Sequence, residues 1–180
     1  MKPKNSSSTT ITASLRLLLT ILLLSWVGYG VALPSDKDQP VHINNADTMD
    51  ADNASGIVTY KGKDISVSQG SLQITQAQWV KLYRDQSGQL IKAVAGGQPV
   101  YFQQRPALGK PLITGHALTI EYLIDKDSIR LIKQAYVKQN QDILSAEQID
   151  YAIGKQLIRA SKGDDNQARV ETIIQPHTSQ

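Results

Sequence analysis

The sequence predicts an all-β, antiparallel domain, and three observations predict it. Beyond residue 40, apolar and polar residues alternate at a period of two over most of the chain. Gly, Pro, Asn and Asp clusters break that pattern at short, regular intervals. The one helical competitor in this region, Ser145 to Tyr151, has a capped start but is cut short by Gly154. Many short strands joined by tight turns are what such punctuation produces, because Gly and Asx residues reach turn backbone angles at low cost.

The N-terminal segment is set aside first, because it has the grammar of an export signal. Lys2 and Lys4 are followed by the apolar run Leu17 to Leu24, then by Gly30-Val31-Ala32 with small residues at the −3 and −1 positions. Cleavage after Ala32 is therefore expected, leaving residues 33–180 as one domain that ends up in the periplasm. The alternative is an uncleaved anchor, since Leu15 to Leu33 approaches the ~20 apolar residues that span a bilayer.

Removing that segment changes the charge balance. The chain has 19 basic and 16 acidic residues. Lys2, Lys4 and Arg16 fall in the first 32 residues, which hold no acidic residue, so 16 basic face 16 acidic in the remainder. The basic pI is largely a property of the signal and is no argument for a nucleic-acid partner, which needs a basic surface. Cysteine is absent, which removes disulfides, thiol catalysis and cysteine metal sites from an exported chain.

Taken in order, the elements begin with the Pro-punctuated lead-in Leu33 to Gln39 and the strand Val41-His42-Ile43, in which His42 faces away from its neighbours. Ile57 to Tyr60 follows, then Ile65 to Ser68, where Ile65 and Val67 share one face and two serines the other. Leu72 to Thr75, Trp79 to Tyr83, Ala117 to Ile124 and Arg169 to Ile174 repeat the alternation. Turn signals at Gly62, Gly70, Asp85 to Gly88, Gly96-Gly97, Gly109 to Pro111, Asp125 to Asp127 and Gly154 separate them, and Asp164-Asp165-Asn166 is a further polar hairpin tip. Ile65 to Val80 is echoed by Ala135 to Tyr151 at an offset of about 70 residues, the mark of a repeated sheet unit.

Catalytic chemistry finds little support. His42 reads as a surface histidine, His116 as a turn-stabilising one at the start of a strand, and His177 as part of a solvated tail. Neither a Gly-x-Ser-x-Gly elbow nor a His-Glu-x-x-His zinc signature occurs. Asp47, Asp50, Asp52 and Asn53 lack the spacing of a calcium loop and read as turn residues. No nucleotide or cofactor motif is present, so no cofactor is expected. A carbohydrate-active enzyme remains as an alternative, with Glu121, Asp125, Asp127 and Asp150 as its candidate carboxylates.

Several of these segments together resemble the LptA/OstA family of periplasmic lipopolysaccharide-transport proteins. The carriers are Gln39 to Ile43, Val58 to Gly62, Val67 to Ile74, Pro99 to Phe102, Gly109 to Pro111 with Gly115 to Ala117 and Tyr122, Ala135 to Gln139, and Arg169 to Thr172 with Pro176. The resemblance implies an open, V-shaped β-jellyroll of about sixteen short antiparallel strands. It also implies a non-enzymatic carrier with lipopolysaccharide in its apolar interior, relayed between the inner-membrane-anchored and outer-membrane components of the export machine. Protomers are implied to join end to end by strand addition, with Val41 and Ile43 on one edge and Arg169, Val170, Thr172 and Ile174 on the other. The lipid-facing positions it implies are Val41, Ile43, Phe102, Tyr122 and Ile124, with Lys37 at the entrance. Alternation adds Ile120 to Tyr122 and Ile124. A membrane-anchored subunit of the same system is the alternative within the family.

The chain departs from the family pattern at three places. Lys61 to Gly70 and Pro111 to Gly115 each look one residue long, an excess that a bulge can absorb. Trp79 stands where a polar residue is expected, which leaves the facing of its strand open.

Overall fold

The structure, a computed structural model, describes residues 36–163 and 169–174. All of them belong to the compact unit Leu33–Gln180. The expected signal and its cleavage point, the Asp164 to Asn166 tip, Pro176 and His177 lie outside the described residues.

The strands are β1 (Val41–Asn44), β2 (Thr48–Asp52), β3 (Ile57–Gln69), β4 (Leu72–Arg84), β5 (Leu90–Gln104), β6 (Ile113–Leu123), β7 (Ser128–Gln139), β8 (Asp142–Ala152), β9 (Leu157–Ser161) and β10 (Glu171–Ile173). Short 3-10 turns occupy Asp36–Asp38 and Ile124–Lys126. All pairs are antiparallel, and β3 to β8 run as a meander. The ends of this single sheet mirror one another. The short strands β1 and β2 both pair with the long β3, and β9 and β10 both pair with the long β8.

Among the described residues there are ten strands where about sixteen short ones were expected, and the reason for their length is local. Register shifts fall at Lys61/Ile65, Thr75/Trp79, Gly96/Val100, His116/Thr119 and Ile132/Ala135. They line up as a crease across the long strands, which bend there without ending, as bulged strands do. The crease absorbs the extra residue after Lys61. The extra residue before Gly115 goes to the β5–β6 loop, because Gln104↔Ile113 and Phe102↔Gly115 pair in unbroken register. The crease also resets the inward parity, so Ala117 and Ile120 are both buried while Leu118 and Thr119 between them are half-buried.

Inward residues from both sides of the crease form one core that includes Ile65, Val80, Ile120, Leu131 and Ile149. Trp79 and Tyr83 take the outer face, because Val80 and Leu82 take the inner one. The sequence repeat is real in three dimensions. The β3–β4 hairpin pairs Ile65↔Ala77 and Val67↔Ile74, and the β7–β8 hairpin pairs Ala135↔Ala146 and Val137↔Leu144. Ser145 to Tyr151 is therefore strand. His116 is not a turn residue. It lies inside β6, stacked on Tyr136 at 4.9 Å and tilted against Tyr101 at 5.5 Å. The Arg169 to Ile174 strand shortens to Glu171–Ile173.

Candidate functional site

A groove of about 530 Å³ opens at the end of the interior nearest the first 3-10 turn. Its walls are apolar where β1, β3, β4 and β5 turn their inner faces toward it, with Val41, Ile43, Tyr60, Leu82 and Leu90. Ile124, from the second 3-10 turn, closes the floor. Two cations, Lys37 and Arg84, line the same groove. Arg84 is tethered by donating from Nη1 to the Gly88 carbonyl at 3.0 Å. Apolar walls with basic groups among them accept an amphiphile that carries an anionic head, since each buried CH₂ is worth ~0.8 kcal/mol and each cation can meet an anion.

The strap Asp36 to Gln39 forms one side of the groove and is held by side chains rather than by strand pairing. Asp36 Oδ1 accepts from the Ser71 amide at 2.6 Å, and Oδ2 accepts from Ser71 Oγ at 2.8 Å and from Gln104 Nε2 at 3.1 Å. Gln69 Nε2 donates to the carbonyls of Lys37 and Gln39 at 3.1 and 2.8 Å. Gly70 makes this docking possible. Its φ is +57°, and a Cβ there would sit 2.3 Å from Asp36 Oδ1.

Behind the strap lies a second cavity of about 440 Å³, which Asp36 and Asp127 both line. Gln69 Oε1, Tyr122 Oη and Asp127 Oδ1 are buried there and nearby without a hydrogen-bond partner among the described residues. Burial, opposed by Lys37 and reinforced by Asp36, holds the Asp127 carboxyl above the usual carboxylate range. Burial, then Asp127 and Asp36, pushes the Tyr151 hydroxyl up to about 12. Burial and the same carboxylates raise Tyr122 as well. Tyr151 spends its proton on Gln104 Oε1 at 3.1 Å.

The predicted positions divide in two. Lys37, Val41, Ile43 and Ile124 come together in the groove. Phe102, Ile120 and Tyr122 sit deeper in the packed interior, at 3, 0 and 2% exposure. The edge positions Arg169, Val170, Thr172 and Ile174 are exposed along and beside β10, whose one strand partner among the described residues is β8. Tyr60, Leu82, Leu90 and Arg84 complete the groove and were not singled out in the sequence. The inward parity of Tyr60 and Leu82 was a usable signal for two of them, but Arg84 and Leu90 flank a turn and carry none.

The four candidate carboxylates do not converge. Glu121 and Asp150 flank Arg130 on the outer face, at 3.8 and 2.6 Å. Asp125 is exposed, and Asp127 faces the strap cavity. Asp52 organises a turn, accepting from the Ala54 and Ser55 amides, and no metal-holding cluster occurs among the described residues.

Comparison with known proteins converges on one group. The family described as LptA/(LptD N-terminal domain) LPS transport protein matches residues 43–157. The lipopolysaccharide export system protein LptH of Pseudomonas aeruginosa is 33% identical over 151 residues, covering 81% of this chain and 85% of its own. LptA of Escherichia coli K12, named as a protein of the same kind of system, is 32% identical over 164 residues, covering 91% of this chain and 85% of its own. The crystal structure of LptH, titled as the LptA-homologous periplasmic component of the lipopolysaccharide transport device, superposes with a TM-score of 0.71 at 31% identity. That match covers 79% of this chain and all of the other.

Proposed function

Because the chain belongs to the LptA/(LptD N-terminal domain) family of lipopolysaccharide transport proteins, we propose that it is a periplasmic, non-enzymatic carrier that bridges the inner and outer membranes in lipopolysaccharide export. The observation that carries this reading is the groove, where apolar walls meet Lys37 and Arg84. Acyl chains take the apolar walls and a headgroup phosphate takes the cations. The signal is removed after Ala32, releasing the domain from the inner membrane.

The outer sides of β1 with β2 and of β9 with β10, which pair with no further strand among the described residues, support end-to-end assembly, and with it docking to the membrane-bound components of the machine. Each edge offers main-chain donors and acceptors to an incoming strand. Exposed apolar side chains accompany both, Met49 on β2 and Ile173 with Ile174 at β10.

Photocrosslinking in cells tests the carrier. A crosslinking residue at Ile43 or Ile124 is expected to give lipopolysaccharide adducts, and one at the outward Glu121 none. Adducts at Phe102 and Tyr122 as well would extend the path into the deeper interior. Folded periplasmic protein with no adduct at any of the four positions would replace the carrier with a protein-binding adaptor.

A further inference from the structure

We propose that the outer face of the sheet carries a second binding site, for a phosphorylated saccharide, built on Trp79 and the ammonium groups of Lys61, Lys63 and Lys81. It lies across the sheet from the groove and stands whether or not the interior carries lipid.

A cavity of about 660 Å³ opens where the β1–β2 connection folds against the bend in β3, and these four residues line it. The register builds it. Trp79 pairs with Lys61 on one side and Gly96 on the other, and Lys81 lies two residues along the same face of β4. A Cβ at Gly96 would meet indole Cε2 and Cζ2 at 2.2 Å and Nε1 at 2.5 Å. The indole therefore packs directly against the glycine backbone, and it also lines the cavity. That arrangement explains the departure noted in the sequence, because an indole this close to the next strand needs a residue without a Cβ beside it.

Charge selects the ligand. Among the described residues, none of the three ammonium groups makes an ion pair or hydrogen bond, and the lining holds one carboxylate, Asp47, against them. Three free ammonium groups favour a phosphate. The electron-rich indole face favours the polarised C–H groups of a sugar ring. A membrane surface fits less well, because a tryptophan that enters lipid stands out from the protein and this one is half-buried and packed against Gly96.

The test uses residues 33–180, the unit that holds every described strand and in which Trp79 is the one tryptophan. Indole emission is followed against glucosamine 6-phosphate, glucosamine and inorganic phosphate separately, with calorimetry alongside. Glucosamine 6-phosphate is expected to give a saturable change, at least tenfold tighter than either fragment. The variant K61Q/K63Q/K81Q is expected to weaken it at least tenfold with an unchanged urea midpoint, because all three side chains are exposed. Trp79→Phe, read by calorimetry, is expected to weaken the sugar phosphate but not inorganic phosphate. Equal binding of inorganic phosphate and sugar phosphate would overturn the saccharide assignment, as would no saturable binding. A blue shift with phosphatidylglycerol vesicles and none with sugar phosphate would overturn it in favour of a membrane contact. Competition by deacylated lipopolysaccharide identifies the source. Tighter displacement than by glucosamine 6-phosphate assigns the site to a lipopolysaccharide headgroup, weaker displacement to a free sugar phosphate, and both support the site.

Discussion

One inward row of the sheet contrasts its middle with its ends. Tyr60, Val80, Ala95, Ile120, Leu131, Ile149 and Ala160 are successive partners from β3 to β9. The central five are buried, while Tyr60 and Ala160 at the two ends are half-buried. All seven are apolar or aromatic and obey the same alternation, so residue type does not separate them. Their distance from an edge does. A sheet that does not close leaves its terminal apolar residues partly uncovered, and the groove occupies one of those ends. The middle holds the fold together, and the end is free to bind.

The largest effect that would break this contrast is in the middle. Ile120→Ala is expected to cost ~2–5 kcal/mol, because its neighbours are packed on both sides and cannot collapse into the void. Ile43→Ala, at the half-buried end, is expected to cost about 1 kcal/mol or less from its smaller buried area while reducing lipopolysaccharide adducts in the groove. Urea unfolding of both variants checks it, and equal losses would mean that middle and end do the same work.

Next comes the strap. Gly70→Ala forces a side chain into a left-handed backbone, which costs ~1–2 kcal/mol, and drives its Cβ against Asp36. The strap is expected to lift, and amide exchange at Ser71 to lose protection, since that amide donates to Asp36. Unchanged protection would show that the strap does not depend on this close approach.

A smaller effect concerns Asp127. Its carboxyl holds its proton more tightly in the folded protein than at the ordinary 3.8, chiefly because it is buried. The folded state therefore favours the neutral form. That contribution is complete below pH 3.8 and is lost as pH rises through the raised native value. Asp127→Asn stays neutral throughout and still offers an oxygen to the Gly154 amide. Its stability relative to the wild type is expected to rise between pH 3 and pH 7, measured as the difference in urea midpoint. A constant difference would place the titration elsewhere.

The strand parities and the repeat were legible in the sequence because both are local. Ile65 with Val67, and Leu72 with Ile74, face inward as their spacing requires, and the Gln69 and Gln139 hairpins recur in register. The crease was legible only in part. Gly62 and Gly96-Gly97 marked it on β3 and β5, as bends inside one strand rather than the expected turns between strands. On β4 and β7, however, it passes through Gln76, Lys133 and Gln134 at positive φ, where neither Gly nor Pro gives warning. Strict alternation therefore held on either side of it but failed across it, as at Leu118. Half of the groove was also hidden. Its strap depends on a carboxylate reaching Ser71, 35 residues away in sequence, and on a glutamine side chain pairing with backbone, neither of which has a pattern to read.

The smallest expected effect lies on the outer face of the sheet and shows how little of the contrast depends on surface charge. Arg130 sits between Glu121 and Asp150, and its side chain is 39% exposed. Its contact with Asp150 is the shorter, at 2.6 Å, and Asp150 is also held by Gln148. Glu121, at 3.8 Å, is the more distant carboxylate of the network. Exposed pairs of this kind are worth ~0–1 kcal/mol, and less as salt rises. Glu121→Gln is therefore expected to change stability by under about 0.5 kcal/mol, with the change vanishing in concentrated salt and groove adducts unaffected. A larger loss that persists in salt would mean that Arg130 fixes the β6–β7–β8 register, and that the middle of the row owes part of its rigidity to the outer face.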